Sequence, residues 1–443
     1  MSNVKKISVV SKKVLVPFIL ITSLFALWGI ANDLTNPMVS AFKKVMPELS
    51  NTEATLVQFA FYFGYFFMAL PAALFIRKYS YKSGIIVGLS LYAIGAFLFF
   101  PAAKYETFSF FLISLWVITC GLAFLETTSN PLILALGEKE TATQRLNLAQ
   151  AFNPIGSLTG MVIAQVFIID ALRSDDFNTS AYNALSSSEL AVIRENDLNI
   201  ISVPYIALGV LVLVIMAIII AVKFPKLEEV QDKISLSATF KKLSKNKNYL
   251  MGVVAQIFYV GAQITCWTFI FQYVDNLNDT LPENEQLTAT WFNIAAMLLF
   301  LSGRWIGTIL MKRHNPSKLL LLFGIGGVIT TAITIFAGGN IGLYSLVSTS
   351  IFMSIMFPTI YGISLKNMGD EAKIGSAGLV MAIVGGALLP IVQGSILDIG
   401  GSGFNDTKIL GYIPEVNFSF ILPLICLAVV AIFGLKTWKN ENN

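Results

Sequence analysis

Apolar and polar positions along this chain fall into long blocks. Apolar runs occupy 14–42, 54–76, 83–103, 107–137, 147–170 and 200–222, and after a polar stretch they resume at 249–274, 287–311, 317–338, 341–365, 374–397 and 413–435. A helix rising 1.5 Å per residue needs about 20 mainly apolar residues to cross a hydrocarbon layer about 30 Å thick. Each run is of that order. The pattern therefore predicts an all-α membrane protein with twelve transmembrane helices.

The stretch 223–248 is the only long polar segment between the two sets of six, and it carries seven lysines and three acids. Its weak amphipathic pattern (Ile234, Leu236, Phe240, Leu243) suits a segment lying at the membrane surface. It divides the chain into an N-terminal six-helix half (1–222), a linker (223–248) and a C-terminal six-helix half (249–443). The halves rhyme: Arg77-Lys78 with Lys82 follows the second run, and Lys312-Arg313 with Lys318 follows the eighth. Short basic loops at equivalent places are what two parallel repeats give, although surface charge also occurs without a repeat.

Composition agrees with lipid as the main solvent, since 55% of the 443 residues are hydrophobic and 13% charged. A net charge of +4 is too small to point to a nucleic-acid partner. Cys120, Cys266 and Cys426 all lie in apolar runs and show neither a disulfide framework nor a metal pattern. The first run is too long for a signal-peptide core and is read as the first span. Placing the N-terminus in the cytoplasm puts twenty-three of the 30 basic residues on cytoplasmic segments, six on outer loops and one, Arg304, inside a span. That bias predicts both termini and the linker on the cytoplasmic side of a bacterial inner membrane.

Two acids lie deep in apolar runs, Asp33 and Glu126. An ionised carboxylate in hydrocarbon costs several kcal/mol on insertion scales, so such residues usually face an aqueous cavity and mark an ion or proton path. The bland alternative is a partner for a buried base, and Arg304 is available. Asp33 sits roughly 28 Å from the inner end of its helix and Glu126 roughly 17 Å from the inner end of the fourth. Pro37 can break the first helix just after Asp33.

Amides and aromatics gather on helix faces: Asp33 with Asn36, Glu126 with Asn130, then Asn147, Gln150 and Asn153, then Gln256, Tyr259, Gln263 and Trp267. Steps of three and four place each set on one side of its helix. Amides that bond hydroxyls and rings that pack on C–H faces suit a neutral sugar; interhelical hydrogen bonding is the competing role. The lone His314 reads as a solvated loop residue. Gly385-Gly386 and Gly324, Gly326 and Gly327 read as close-packing positions. No nucleophile–base pair, metal cluster, cofactor motif or nucleotide-binding domain is present, so an enzyme or an ATP-driven pump is not expected. A drug/proton antiporter would need a wider, more apolar pocket.

These residues lie in strings that resemble one family. They are LWGIANDLTNP (27–37), QFAFYFGYFFMALPAALFIRKYSYKSGIIVGL (58–89), GLAFLETTSNP (121–131), RLNLAQAFNPIG (145–156), AQIFYVGAQITCW (255–267), GRWIGT (303–308) and FMSIMFPTIYGISLKNMG (352–369). Nearly the whole chain is similar to the major facilitator superfamily and, within it, to the L-fucose/proton symporter family. The resemblance implies a major facilitator fold of two six-helix halves, one central sugar site, and proton coupling through an acid on the first helix and another on the fourth. The fourth-helix acid carries over to Glu126. The first-helix acid of the family falls at position 36, an asparagine here, with Asp33 three residues earlier on the same face. Phe357 stands where the family has tyrosine. The expectation is a monomeric importer that takes a small-molecule sugar with a proton and works in the lipid bilayer. L-fucose leads as substrate, with glucose or galactose the alternative. The sugar is expected to meet Asn36, Asn130, Gln150, Asn153, Gln256, Tyr259, Gln263 and Trp267.

Overall fold

The computed structural model describes the chain except residues 1–7, 36–37, 47–48, 50, 177–184, 225–235, 279–280, 370, 398–407, 410 and 443. Twelve helical spans among the described residues are long and apolar enough to cross a membrane: Lys12–Thr35, Phe59–Lys78, Tyr81–Lys104, Phe108–Ala135, Lys139–Ala171, Ser187–Ala221, Lys247–Asn278, Ala289–Leu310, Pro316–Ala337, Gly339–Ser364, Glu371–Leu397 and Glu415–Glu441. The chain is a multi-pass membrane protein. The sixth span begins thirteen residues before its apolar run. Its start is a capping box, in which the Ser186 hydroxyl accepts from the Glu189 N–H and the Glu189 side chain answers the Ser186 N–H. The polar residues after that cap are helical but lie outside the apolar run.

Several spans are interrupted. The fifth comprises helices Ala142–Gln150 and Asn153–Phe167, the seventh Lys247–Thr268 and Ile270–Asn278, and the tenth Gly339–Met353 and Met356–Ser364. Proline explains two of these breaks. Pro154 and Pro358 cannot supply the N–H that an unbroken helix would give to the carbonyls of Gln150 and Ser354. The expected break at Pro37 lies outside the described residues; a short helix, Met38–Val45, follows it.

The chain forms two compact units. The first holds Lys12–Leu132 and Phe152–Glu228; the second holds Met1–Ser11, Ile133–Ala151 and Glu229–Asn443. The helix Ala142–Gln150 therefore belongs with the spans after the linker. It is held there by Gln144 Nε2 donating to the Thr308 carbonyl (3.0 Å) and Asn147 Nδ2 donating to Thr359 Oγ1 (3.1 Å).

In the first unit the Asn153–Phe167 helix packs along the first span at backbone distance. A Cβ at Gly156 would lie 2.0 Å from the Ala26 carbonyl oxygen, and one at Gly160 2.5 Å from that of Ile30. In the second unit Gly385 presses on the Ile257 carbonyl and Gly324 on Ala431 in the same way. The basic loops also do equivalent work in each unit. Lys82 Nζ donates to the Ile220 and Val222 carbonyls at the end of the sixth span (2.8 and 2.9 Å), and Lys318 lies over the Trp438 ring at the end of the twelfth (5.6 Å). In the linker, helix Leu236–Lys245 buries Leu243 and exposes Leu236 and Phe240, while Lys242 pairs with Glu371 at 2.5 Å. Ile234 lies outside the described residues.

Gly156→Val is expected to lower the unfolding temperature of the detergent-solubilised protein sharply, because backbone cannot yield to the new side chain. Gly394→Ala should leave it unchanged, since nothing lies within 4 Å of that position. Equal unfolding temperatures for the two variants would contradict the close approach of the first and fifth spans.

Candidate functional site

In the first unit the polar residues centre on the fourth span. Glu126 is 8% exposed, and the four residues after it, Thr127, Thr128, Ser129 and Asn130, are fully buried. Such a run inside hydrocarbon is affordable only if its groups find partners or face a cavity. Pro131 adds to the polarity, because it lacks the N–H that would serve the Thr127 carbonyl. Among the described residues Glu126 Oε2 has no hydrogen-bond partner. Asp33 is equally buried on the first span, and Asn36 lies outside the described residues. Asn153 is half-buried and donates from Nδ2 to the Phe25 carbonyl (3.1 Å), so part of its capacity ties the fifth span to the first.

The second unit carries the seventh-span face. Gln256 and Tyr259 are fully buried, yet neither polar atom of the Gln256 amide nor the Tyr259 hydroxyl has a partner among the described residues. Phe357 sets its ring beside both Tyr259 and Tyr361, with centroids 6.3 Å away in each case. Gln263 is half-buried on the same helix. Trp267 is fixed from three sides. Its Nε1 donates to Ser350 Oγ (3.1 Å), its carbonyl accepts from Asn293 Nδ2 (3.0 Å), and its ring meets Phe300 at 5.1 Å.

Arg304 has a different role from the acid partner considered above. Its Nε donates to the Ser354 carbonyl and its Nη1 to the Gln150 carbonyl (3.2 Å), with the guanidinium 4.9 Å from the Phe300 ring centre. Those are the two carbonyls that Pro358 and Pro154 leave without a helical donor. One buried arginine thus serves both breaks, and the negative end of each helix favours the cation there. Arg145 does the same at the end of the fourth span, donating to the Ile133 and Leu134 carbonyls (2.7 and 2.6 Å).

The break changes the reading of the fifth-span amides. Asn147, Gln150 and Asn153 do not share one continuous helix: Asn147 and Gln150 belong to the second unit and Asn153 to the first. In the second unit Gln150 joins Gln256, Tyr259, Gln263 and Trp267. In the first, Asp33, Glu126, Asn130 and Asn153 remain. Tyr65 of the second span is buried, and its hydroxyl has no hydrogen-bond partner among the described residues. An aromatic-rich span gave no sign that this ring faces inward.

The chain belongs to the Major Facilitator Superfamily, whose sequence profile matches residues 14–390. It is 53% identical to the L-fucose-proton symporter of Haemophilus influenzae over 97% of this chain and 98% of that protein. It is 32% identical to a glucose/galactose transporter of Brucella abortus, over 95% of this chain and 93% of that one. The solved structure of the Escherichia coli fucose:proton symporter superposes with a TM-score of 0.83 at 34% identity, covering 96% of this chain and 98% of that one. The fold is the major facilitator fold of twelve helices.

The roles of Arg304 and Gln256 separate in stability. Arg304→Met should destabilise the protein by about 1–3 kcal/mol for each carbonyl left unpaired. Pro358→Ala added to it should restore part of the loss by returning an N–H. Gln256→Leu should leave the unfolding temperature unchanged or higher, because it removes a buried amide with no partner among the described residues. A large drop for Gln256→Leu, measured by thermal unfolding in detergent, would contradict that assignment.

Proposed function

We propose that the chain is a proton-coupled sugar symporter that imports L-fucose by alternating access. The observation that carries this is the buried carboxyl of Glu126, with an oxygen that no described residue satisfies, in a chain similar over 97% of its length to a named L-fucose-proton symporter. Transport and not catalysis is the activity. A neutral hexose offers hydroxyls to Gln150, Gln256 and Gln263 and C–H faces to Tyr259 and Trp267, all residues of the second unit. The protein works as a monomer in the bacterial inner membrane, with both termini and the linker on the cytoplasmic side. An impermeant thiol reagent applied to intact cells should then label single cysteines placed in 43–53 and not those in 223–248.

Coupling follows from charge. A carboxylate is costly in an occluded, dry state, so the carrier reorients readily only with its acids neutral. Sugar binding that favours the protonated carrier ties the two fluxes together by linkage. Asp33, nearer the outside, loads the proton, and Glu126 is the acid whose protonation the sugar reads. Asp33→Asn and Glu126→Gln imitate the permanently protonated form. Each should abolish uphill accumulation of labelled L-fucose in proteoliposomes yet preserve counterflow, with Glu126→Gln also changing affinity. Gln150→Ala and Gln263→Ala should weaken binding by about 1–3 kcal/mol in calorimetry while the fold persists. Continued accumulation by Asp33→Asn would pass the loading role to Glu126 alone, and unchanged affinity in both glutamine variants would move the sugar site elsewhere.

A further inference from the structure

Trp267 is the last residue but one of the helix Lys247–Thr268, where backbone carbonyls run out of intrahelical donors. Asn293 Nδ2, on the eighth span, donates to the Trp267 carbonyl (3.0 Å). The indole Nε1 donates to Ser350 Oγ on the tenth span (3.1 Å). Phe300 of the eighth span meets the indole edge-on, with ring centroids 5.1 Å apart and planes at 81°. Phe300 is held in turn by the Arg304 guanidinium, 4.9 Å from its ring centre. All of these residues belong to the second unit. Ser350 is buried, whereas Trp267 is half-buried and keeps part of its surface open.

The rest of this helix face is arranged differently. Gln256 and Tyr259 precede Trp267 at helical spacing, and their amide and hydroxyl atoms have no partner among the described residues. Those polar atoms are available to a hydroxyl. The N–H of Trp267, its one polar side-chain group, is already taken. An indole turns about two side-chain bonds, and a C–H face packs well on it only when the ring plane is set.

We propose that Ser350 is a positioning residue for sugar binding. By accepting from Nε1 it fixes the plane of Trp267, so that the ring offers its face, and not its N–H, to the sugar. Hydrogen bonding to the sugar is left to Gln256 and Tyr259. Phe300 braces the indole, and the Asn293 bond holds the backbone behind it. Ser350 acts through Trp267 alone. This rests on the reading of Trp267 as a sugar-site residue.

Calorimetry of L-fucose binding to Ser350→Ala, Trp267→Phe and the double variant tests the role. Ser350→Ala removes the acceptor and should weaken binding about tenfold, the scale of one lost hydrogen bond. In proteoliposome uptake its KM should rise with Vmax unchanged. Trp267→Phe has no N–H to place, so adding Ser350→Ala to it should change affinity by less than about twofold, the coupling expected of two groups that act as one. Ser350→Cys, close in size but a weak acceptor, should weaken binding nearly as far, and it gives the answer should the alanine variant fail to fold. Unchanged affinity in Ser350→Ala or in Ser350→Cys would overturn the proposal. So would equal losses with and without the indole, which mark a packing role. Unchanged affinity in Trp267→Ala is a separate result: it would take Trp267 out of the sugar site and end the positioning role with it.

Discussion

Hydrocarbon offers no hydrogen bonds, so every backbone carbonyl released from a helix inside the membrane must be satisfied by the protein or by a wet cavity. This fold releases such carbonyls at its helix breaks. Pro154 and Pro358 free those of Gln150 and Ser354, and one guanidinium, Arg304, takes both. Arg145 closes the inner end of the fourth span by the same means, with Ile133 and Leu134 as its acceptors. Each arginine is buried without being wasted, because its fixed fork of donors matches several carbonyls at once and the helix C-termini supply negative potential. The breaks place Gln150 next to a turn and set Phe357 beside Tyr259, so the geometry of the amide face depends on them.

Against that background of satisfied groups, the unsatisfied ones are informative. Glu126 Oε2, the Gln256 amide, and the hydroxyls of Tyr259 and Tyr65 are buried and find no partner among the described residues. Each costs stability in the resting protein. Under the proposed function, a transported sugar and a transported proton would be the partners that recover this cost transiently. Asn153 and Trp267 lie between the two cases, with part of their polar capacity engaged in packing.

Local features were readable in the sequence. Twelve apolar runs of bilayer length correspond to twelve spans, because hydropathy over about 20 residues is a local property. Asp33 and Glu126 stood out for the same reason, as charges where none should be. The sixth span hid its first turns because they are polar, although the capping box at Ser186 and Glu189 was there to be seen. The split of Asn147, Gln150 and Asn153 escaped a periodicity argument that assumed one continuous helix, even with Pro154 marking the break. Arg304 offered no hint of its acceptors, since they are carbonyls more than forty residues away in either direction. Tyr65 was masked by its neighbours: in a stretch as aromatic as FAFYFGYFF, rings against lipid and a ring buried inside the protein look alike.

If the proposed acids of the first unit couple the two fluxes, sugar and proton cross the membrane together. The most direct measurement records internal pH while L-fucose is added outside de-energised proteoliposomes, with the membrane potential clamped and sodium absent. The interior should acidify as the sugar enters, and Glu126→Gln should admit sugar with no change in pH. Sugar entry without acidification in the unsubstituted protein, or acidification preserved in Glu126→Gln, would contradict that coupling.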